Sequence, residues 1–173
     1  MPIHPNGSIL AFRLRGKGRG VLQTIEIEGS RHTVRAEGHQ AFGGTDSAPS
    51  PLDYVLSGLA SCTQVTTFIV SRDLGVDIGE FSIDLRAELD NSVLVLGAEG
   101  NSNFSSVTLD IVLETDADAA AFSKLTNEIE RRCPLTQLYI RSGLAITNNW
   151  TNRGLERSDS GSNRVGVPET ERV

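Results

Sequence analysis

Cys62 and Cys133 are the only thiols in this 173-residue chain, and they are the residues with the most distinctive chemistry. A thiolate is a nucleophile, and two thiols held together can close and reopen a disulfide. Free cysteine is also among the most buried residue types, packing as a small hydrophobe. Pattern alone therefore leaves each cysteine as either core or redox-active. Of the 16 positive residues all but Lys17 and Lys124 are arginines, so a cation that activates a thiol here is expected to be a guanidinium. A zinc site built from His32, His39 and the two cysteines lacks a close-spaced ligand pair, and no metal or organic cofactor is expected. Gly43-Gly44 is not followed by the Gly-Lys-Ser/Thr of a phosphate loop. A cysteine hydrolase using Cys62 with His39 or His32 and Asp53 is a further alternative, but it gives Cys133 no role.

Cys62 falls inside a segment with helical periodicity. Ser50 can cap free backbone N–H groups, Pro51 suits the first helical position, and Asp53 completes a capping box. The helix is expected to run to about Asp73, before Gly75. Val55, Leu59, Cys62, Thr66 and Ile69 form one stripe, and Leu52, Leu56, Thr63 and Val70 widen it, so this helix belongs inside the fold. Cys62 lies about 17 Å along the axis from the helix start, too far for that terminus to lower its pKa. Anything that activates it must come from another element. Cys133 ends the stripe Phe122, Leu125, Ile129 of a second helix, opened by Asp116 or Asp118 and interrupted at Pro134; a short helical piece follows to Arg141.

The remaining elements read as strands. Leu10, Phe12 and Leu14 alternate with Ala11, Arg13 and Arg15, predicting a half-buried strand that turns at Gly16 to Gly20. Strands over Val21 to Glu28 and around His32 to Ala36 complete an antiparallel meander. Phe81 to Leu89 and Val107 to Leu113 alternate regularly and form a long hairpin with an irregular tip over residues 91–105. Gly143 to Trp150 is a last strand. The order βββ-α-ββ-α-β predicts an α+β fold with helices packed on antiparallel sheet. Residues 1–151 form one domain, and the polar, aperiodic stretch 152–173 is expected to be a mobile tail.

A formal charge of −6 disfavours a nucleic-acid partner. No apolar run approaches the roughly 18 residues of a membrane span, and Met1 to Arg19 lacks the pattern of a secretion signal, so a cytoplasmic protein is expected.

Two blocks carry a resemblance. Gly43-Gly44, Pro49-Ser50-Pro51 and the run Gly58-Leu59-Ala60-Ser61-Cys62 form the first, and Cys133-Pro134-Leu135-Thr136 forms the second. Together they resemble the OsmC/Ohr family (osmotically inducible protein C and organic hydroperoxide resistance proteins), over roughly residues 9 to 150. The resemblance implies antiparallel sheets wrapped around two central helices in an intertwined homodimer, with active sites at the subunit interface. It implies reduction of organic hydroperoxides, with Cys62 as peroxidatic thiol and Cys133 as the resolving thiol that forms a disulfide with it. A dithiol or lipoyl-type reductant would reset the pair. The organic hydroperoxide branch uses an arginine in the first turn, which corresponds to Arg19, with Arg31 and Arg35 as other candidates. That branch pairs its arginine with a glutamate just after the proline at the helix start, where this sequence has Leu52 and then Asp53. The departure points to the broader OsmC-like branch and keeps a non-catalytic dimer that binds a small apolar ligand as a rival.

Overall fold

A computed structural model describes residues 9–155 as two three-stranded sheets and four α-helices; 1–8 and 156–173, with most of the expected tail, lie outside the described residues. The first sheet is the antiparallel meander β1 (Leu14–Arg19), β2 (Leu22–Ile27) and β3 (Thr33–Glu37). Its first turn is Gly20-Val21, not residues 16–20. Lys17 pairs with Thr24 and Arg19 with Leu22, so Gly16 to Arg19 are strand. The glycines there serve close approach: a Cβ on Gly18 would lie 2.7 Å from the Leu22 carbonyl oxygen. The half-buried start is also not found within one chain, where Leu10, Phe12 and Leu14 are 65, 82 and 55% exposed.

A short 3₁₀ turn, Gln40–Phe42, leads to α1 (Pro51–Leu74). Its start follows the sequence rule: the Ser50 hydroxyl accepts the Asp53 N–H at 3.2 Å, and the Asp53 carboxylate accepts the Ser50 N–H at 2.9 Å. Gly75 ends it in the left-handed region. At 24 residues and a mean hydropathy of 1.2 over its apolar window, α1 is long and apolar enough to cross a membrane, contrary to the expectation that no segment is. It packs instead against α3, α4 and β4, where a core helix sits.

The second sheet has the order β4 (Ile78–Leu89), β5 (Phe104–Thr115), β6 (Ala145–Gly154). β4 and β5 are the expected antiparallel hairpin, and its tip holds a one-turn helix, α2 (Ser92–Leu96), that the sequence reading missed. α3 (Ala119–Arg132) starts at Asp118, whose carboxylate accepts the Ala121 N–H at 2.8 Å, and α4 (Pro134–Arg141) follows at once. β6 runs parallel to β5, so this sheet is mixed and not wholly antiparallel. The reason is the crossover: α3 and α4 carry the chain back to the starting end of β5. β6 also runs to Gly154, three residues past the expected domain boundary, held by Asn152 Nδ2 on the Ala117 carbonyl and Leu155 N–H on that of Thr115.

Two apolar clusters join these elements. Leu59, Leu109, Ile111 and Tyr139 tie α1 and α4 to the sheet, and Val70, Leu113, Leu125 and Ile129 tie it to α3. Each fully buried aliphatic side chain contributes about 1.5–3 kcal/mol. This packing fixes α1 against the junction of α3 and α4, where both cysteines lie.

Candidate active site

The sequence Cys133-Pro134 builds the site. Proline disfavours the α conformation in the residue before it, and its own fixed φ suits the first position of a helix. Cys133 accordingly has φ −71° and ψ 113°, and it is at once the C-cap of α3 and the N-cap of α4. Its thiol is fully buried. Cys62, near the middle of α1, is half-buried; both cysteines are free thiols, and the two sulfurs lie within interaction range of each other. Residues 71 positions apart in sequence are thus brought together by the α1, α3 and α4 contacts.

The first turn of α4 faces both sulfurs. The Leu135 amide acts on Cys62; the Thr136 amide and hydroxyl act on Cys133, at a range longer than a close capping bond. The Thr66 hydroxyl, one turn beyond Cys62 on α1, acts on both. Burial pushes the Cys62 thiol up, and the neighbouring Cys133 adds to this against the Leu135 amide. Burial acts the same way on Cys133, but Thr136, Cys62 and Thr66 outweigh it and leave that thiol below its ordinary range. With Cys62 pushed up and Cys133 brought down, Cys133 at the α4 N-terminus is the thiol that gives up its proton more readily. The element that reaches Cys62 is therefore a second helix terminus, supplied by α4. Sequence reasoning did not find Leu135, Thr136 or Thr66 as functional residues, although Cys-Pro as a helix N-cap could have indicated the first two.

Arg19 ends β1 and is exposed, as are Arg31 and Arg35; none is among the groups acting most strongly on either sulfur of its own chain. Asp53 and His39 do come together, with the imidazole helping to hold the carboxyl below its ordinary range after the larger effect of the Ser50 hydrogen bonds. Cys62 lies nine residues on, about 13 Å along α1. A cysteine, histidine and aspartate triad is therefore not formed within the chain. His39 and Asp53 instead rim a cavity of about 630 Å³, whose apolar lining includes Phe42, Leu52, Leu56, Leu94 and Phe104. Gly44 closes the loop beside it: a Cβ there would lie 1.8 Å from the Gly38 carbonyl oxygen. Among the described residues no three His, Cys, Asp or Glu side chains are arranged to hold a metal ion.

Known proteins share this architecture. The chain is similar to an OsmC-like protein from Mycoplasma pneumoniae with 16% identity and a TM-score of 0.69, over 83% of this chain and 97% of that one. It is similar to the organic hydroperoxide resistance protein OsmC of Legionella pneumophila with 14% identity and a TM-score of 0.65, over 84% and 99%. The organic hydroperoxide resistance protein OhrB of Bacillus subtilis matches with 16% identity and a TM-score of 0.55, over 82% and 98%. At these identities the likeness establishes the fold. No curated protein matches the sequence significantly. The model of the OsmC-like protein family matches residues 44–148, a span that includes α1 and both thiols and leaves out the first sheet. With more than half its length and the four described α-helices inside that match, the chain belongs to the OsmC-like protein family.

Proposed function

We propose that the protein is a thiol-dependent peroxidase that reduces organic hydroperoxides to alcohols. The observation that carries this reading is that two free thiols, one half-buried and one buried at the N-terminus of α4, lie near enough to act on each other. In the resting pair one proton is shared. The Cys133 thiolate accepts the Cys62 proton, and the Cys62 thiolate attacks the distal oxygen of the hydroperoxide. The O–O bond breaks, Cys62 becomes a sulfenic acid, and the departing alkoxide takes back the proton to leave as alcohol. The Cys133 thiolate then attacks the Cys62 sulfur, forming the disulfide and releasing hydroxide. A dithiol or lipoyl-type reductant returns both thiols. Two free cysteines fit the reducing cytoplasm, where we place the protein.

The active form is a homodimer in this reading. Val55, Val65, Phe68 and Ile69 lie on one side of α1 with Gly58 and Cys62, and they are 36 to 60% exposed in a single chain. A second copy would cover this face and could bring its own Arg19 toward Cys62. The second reading, a dimer that binds a small apolar ligand without turnover, is favoured by the cavity beside Leu52 and by the raised Cys62 thiol. One experiment separates them. Purified protein is mixed with cumene hydroperoxide or hydrogen peroxide, and free thiols are counted in wild type and Cys62→Ser. Loss of both thiols in wild type with the organic peroxide, and no turnover in the variant, is expected. Unchanged thiols with either oxidant would leave only the binding module.

A further inference from the structure

The proline that makes Cys133 a helix cap also leaves a carbonyl without its donor. In an unbroken helix the Glu130 carbonyl would accept the N–H of residue 134, and Pro134 has none. The bonds on either side are present: the Cys133 N–H donates to the Ile129 carbonyl at 2.9 Å, and the Gln137 N–H donates to the Cys133 carbonyl at 3.0 Å. The missing donor comes from a side chain. Gln137 Nε2, in the first turn of α4, donates to the Glu130 carbonyl at 3.0 Å. One residue thus grips both Cys133 and the last turn of α3. We propose that Gln137 is a positioning residue for Cys133: its amide stands in for the donor that Pro134 lacks, fixes the bend between α3 and α4, and so holds the Cys133 sulfur where it closes a disulfide with Cys62.

Further contacts tie this bend to the rest of the fold. The Glu130 carboxylate accepts the Trp150 indole N–H at 3.1 Å, so the residue whose carbonyl Gln137 takes is also fastened to β6. On the other side the first turn of α4 lies against α1: a Cβ on Gly58, one turn before Cys62, would be 3.4 Å from Leu135 Cδ1. Leu135 also packs on the cluster that holds Leu59. The Cys133 sulfur therefore moves with the α3–α4 bend, whereas Cys62 moves with α1. Gln137 is half-buried and is not among the groups acting most strongly on either sulfur, so its role is geometric. Closure balances with a disulfide as oxidant: the two thiols lose two protons and two electrons and form one S–S bond, while the oxidant's S–S bond is cleaved to two thiols. No bond to Gln137 forms or breaks.

In the peroxidase cycle this role belongs to the resolving step, a consequence that rests on that reading; the positioning itself is measured without peroxide. Wild type, Gln137→Met and Gln137→Lys are equilibrated with reduced and oxidised glutathione, and the Cys62–Cys133 disulfide is quantified by mass spectrometry after an acid quench. Methionine keeps the length and helix propensity and removes the donor, while lysine keeps a donor that suits the C-terminus of α3. The Gln137→Met closure constant is expected about fivefold below wild type, the factor implied by one ordinary hydrogen bond, with Gln137→Lys nearer wild type. A Gln137→Met constant equal to wild type overturns the role even if Tm falls, since a merely structural bond moves stability and not closure. An equal loss in Gln137→Met and Gln137→Lys overturns it too, because the donor is then not what matters. If Gln137→Met is too unstable to purify, Gln137→Ala against Gln137→Lys decides in the same way. A wild type that forms only mixed disulfides with glutathione overturns the placement of Cys133, whatever the protein does with peroxide. A lowered Gln137→Met constant, in a protein whose wild type consumes no peroxide, upholds Gln137 and removes the peroxidase reading instead.

Discussion

Replacing Cys133 by serine separates a resolving thiol from a core cysteine, because the structure predicts that the fold survives. The residue is fully buried, so a hydroxyl there must find a partner. It has one at hand. Position 133 is the N-cap of α4, serine is a preferred N-cap residue, and the Thr136 N–H lies at the third helical position that such a side chain bonds. A new cap contributes about 1 kcal/mol, similar in size and opposite in sign to the loss from exchanging a buried sulfur for oxygen. The net change should stay within about 1 kcal/mol, or roughly 2–4 °C in Tm for a chain of this length. Chemistry should change far more. Cys133→Ser should consume about one peroxide per subunit and stop, since no neighbouring thiol can condense with the Cys62 sulfenic acid. Under excess peroxide, intact-mass spectrometry should find Cys62 with two or three added oxygens. Wild type should instead lose two hydrogens and give a Cys62–Cys133 peptide on non-reducing digestion. The first step should also slow, because the variant lacks the thiolate that accepts the Cys62 proton. A variant that cycles with a dithiol at the wild-type rate would refute both the resolving and the proton-accepting role.

Phe68→Glu puts a charge on the exposed face of α1, where Phe68 is 60% exposed; light scattering at micromolar concentration should show the wild type as a dimer and the variant as a single chain, and a monomeric wild type would contradict the proposed interface. Leu59→Ala empties a fully buried position between α1 and the second sheet and should cost about 2–5 kcal/mol in denaturant titration; a loss below about 1 kcal/mol would show that the cluster collapses around the void. Asp53→Asn tests whether the acid is a cap or a catalytic partner. Its carboxyl is held below the ordinary range chiefly by Ser50, so the stabilisation is complete above the unfolded pKa near 4 and is lost as pH falls through the lower folded value. The variant should be roughly 0.5 kcal/mol less stable at pH 7 and equal to wild type in strong acid, with peroxide turnover unchanged; a large loss of turnover at constant stability would make Asp53 part of the site.

Elements whose cause is local were legible in the sequence, and those whose cause is long-range were not. The capping box at Ser50 and Asp53, the stop at Gly75 and the alternation from Phe81 to Leu89 need only neighbours within a few residues, and each is present. The first turn differs from the expectation because Gly16 and Gly18 have the residue type of a turn, whereas both lie in β1 and Gly18 is needed where the strand runs close to the Leu22 carbonyl. The parallel pairing of β6 does have a signal in the sequence. A segment of about 30 residues holding two helices between strands is a crossover, and a crossover returns the chain parallel. The exposed side of α1 has a different reason. Its apolar residues read correctly as residues that seek burial, but among the described residues α3, α4 and the second sheet cover the other side of the helix, and Val55, Val65 and Phe68 stay exposed.

The same division applies to the site. Nothing in the spacing of Cys62 and Cys133 requires that they meet; that follows from α1 lying against the α3–α4 junction through Leu59, Val70, Leu125 and Ile129. The means of activation could have been read locally, since a cysteine before a proline leaves α3, caps α4, and presents its sulfur to the free amides of a new helix. The expectation of an arginine follows from treating Cys62 as an isolated mid-helix thiol, which needs an outside charge. At Cys62 the Leu135 amide opposes burial without overcoming it, whereas at Cys133 the Thr136 amide and hydroxyl help to overcome it. Leu52, where the organic hydroperoxide branch has a glutamate, lines the neighbouring apolar cavity. Arg19 of a second copy would add to this arrangement by favouring ionisation of Cys62 over Cys133. The alkylation midpoint of Cys62 should therefore fall when the wild type is concentrated through its dimerisation range, and should stay fixed in Phe68→Glu.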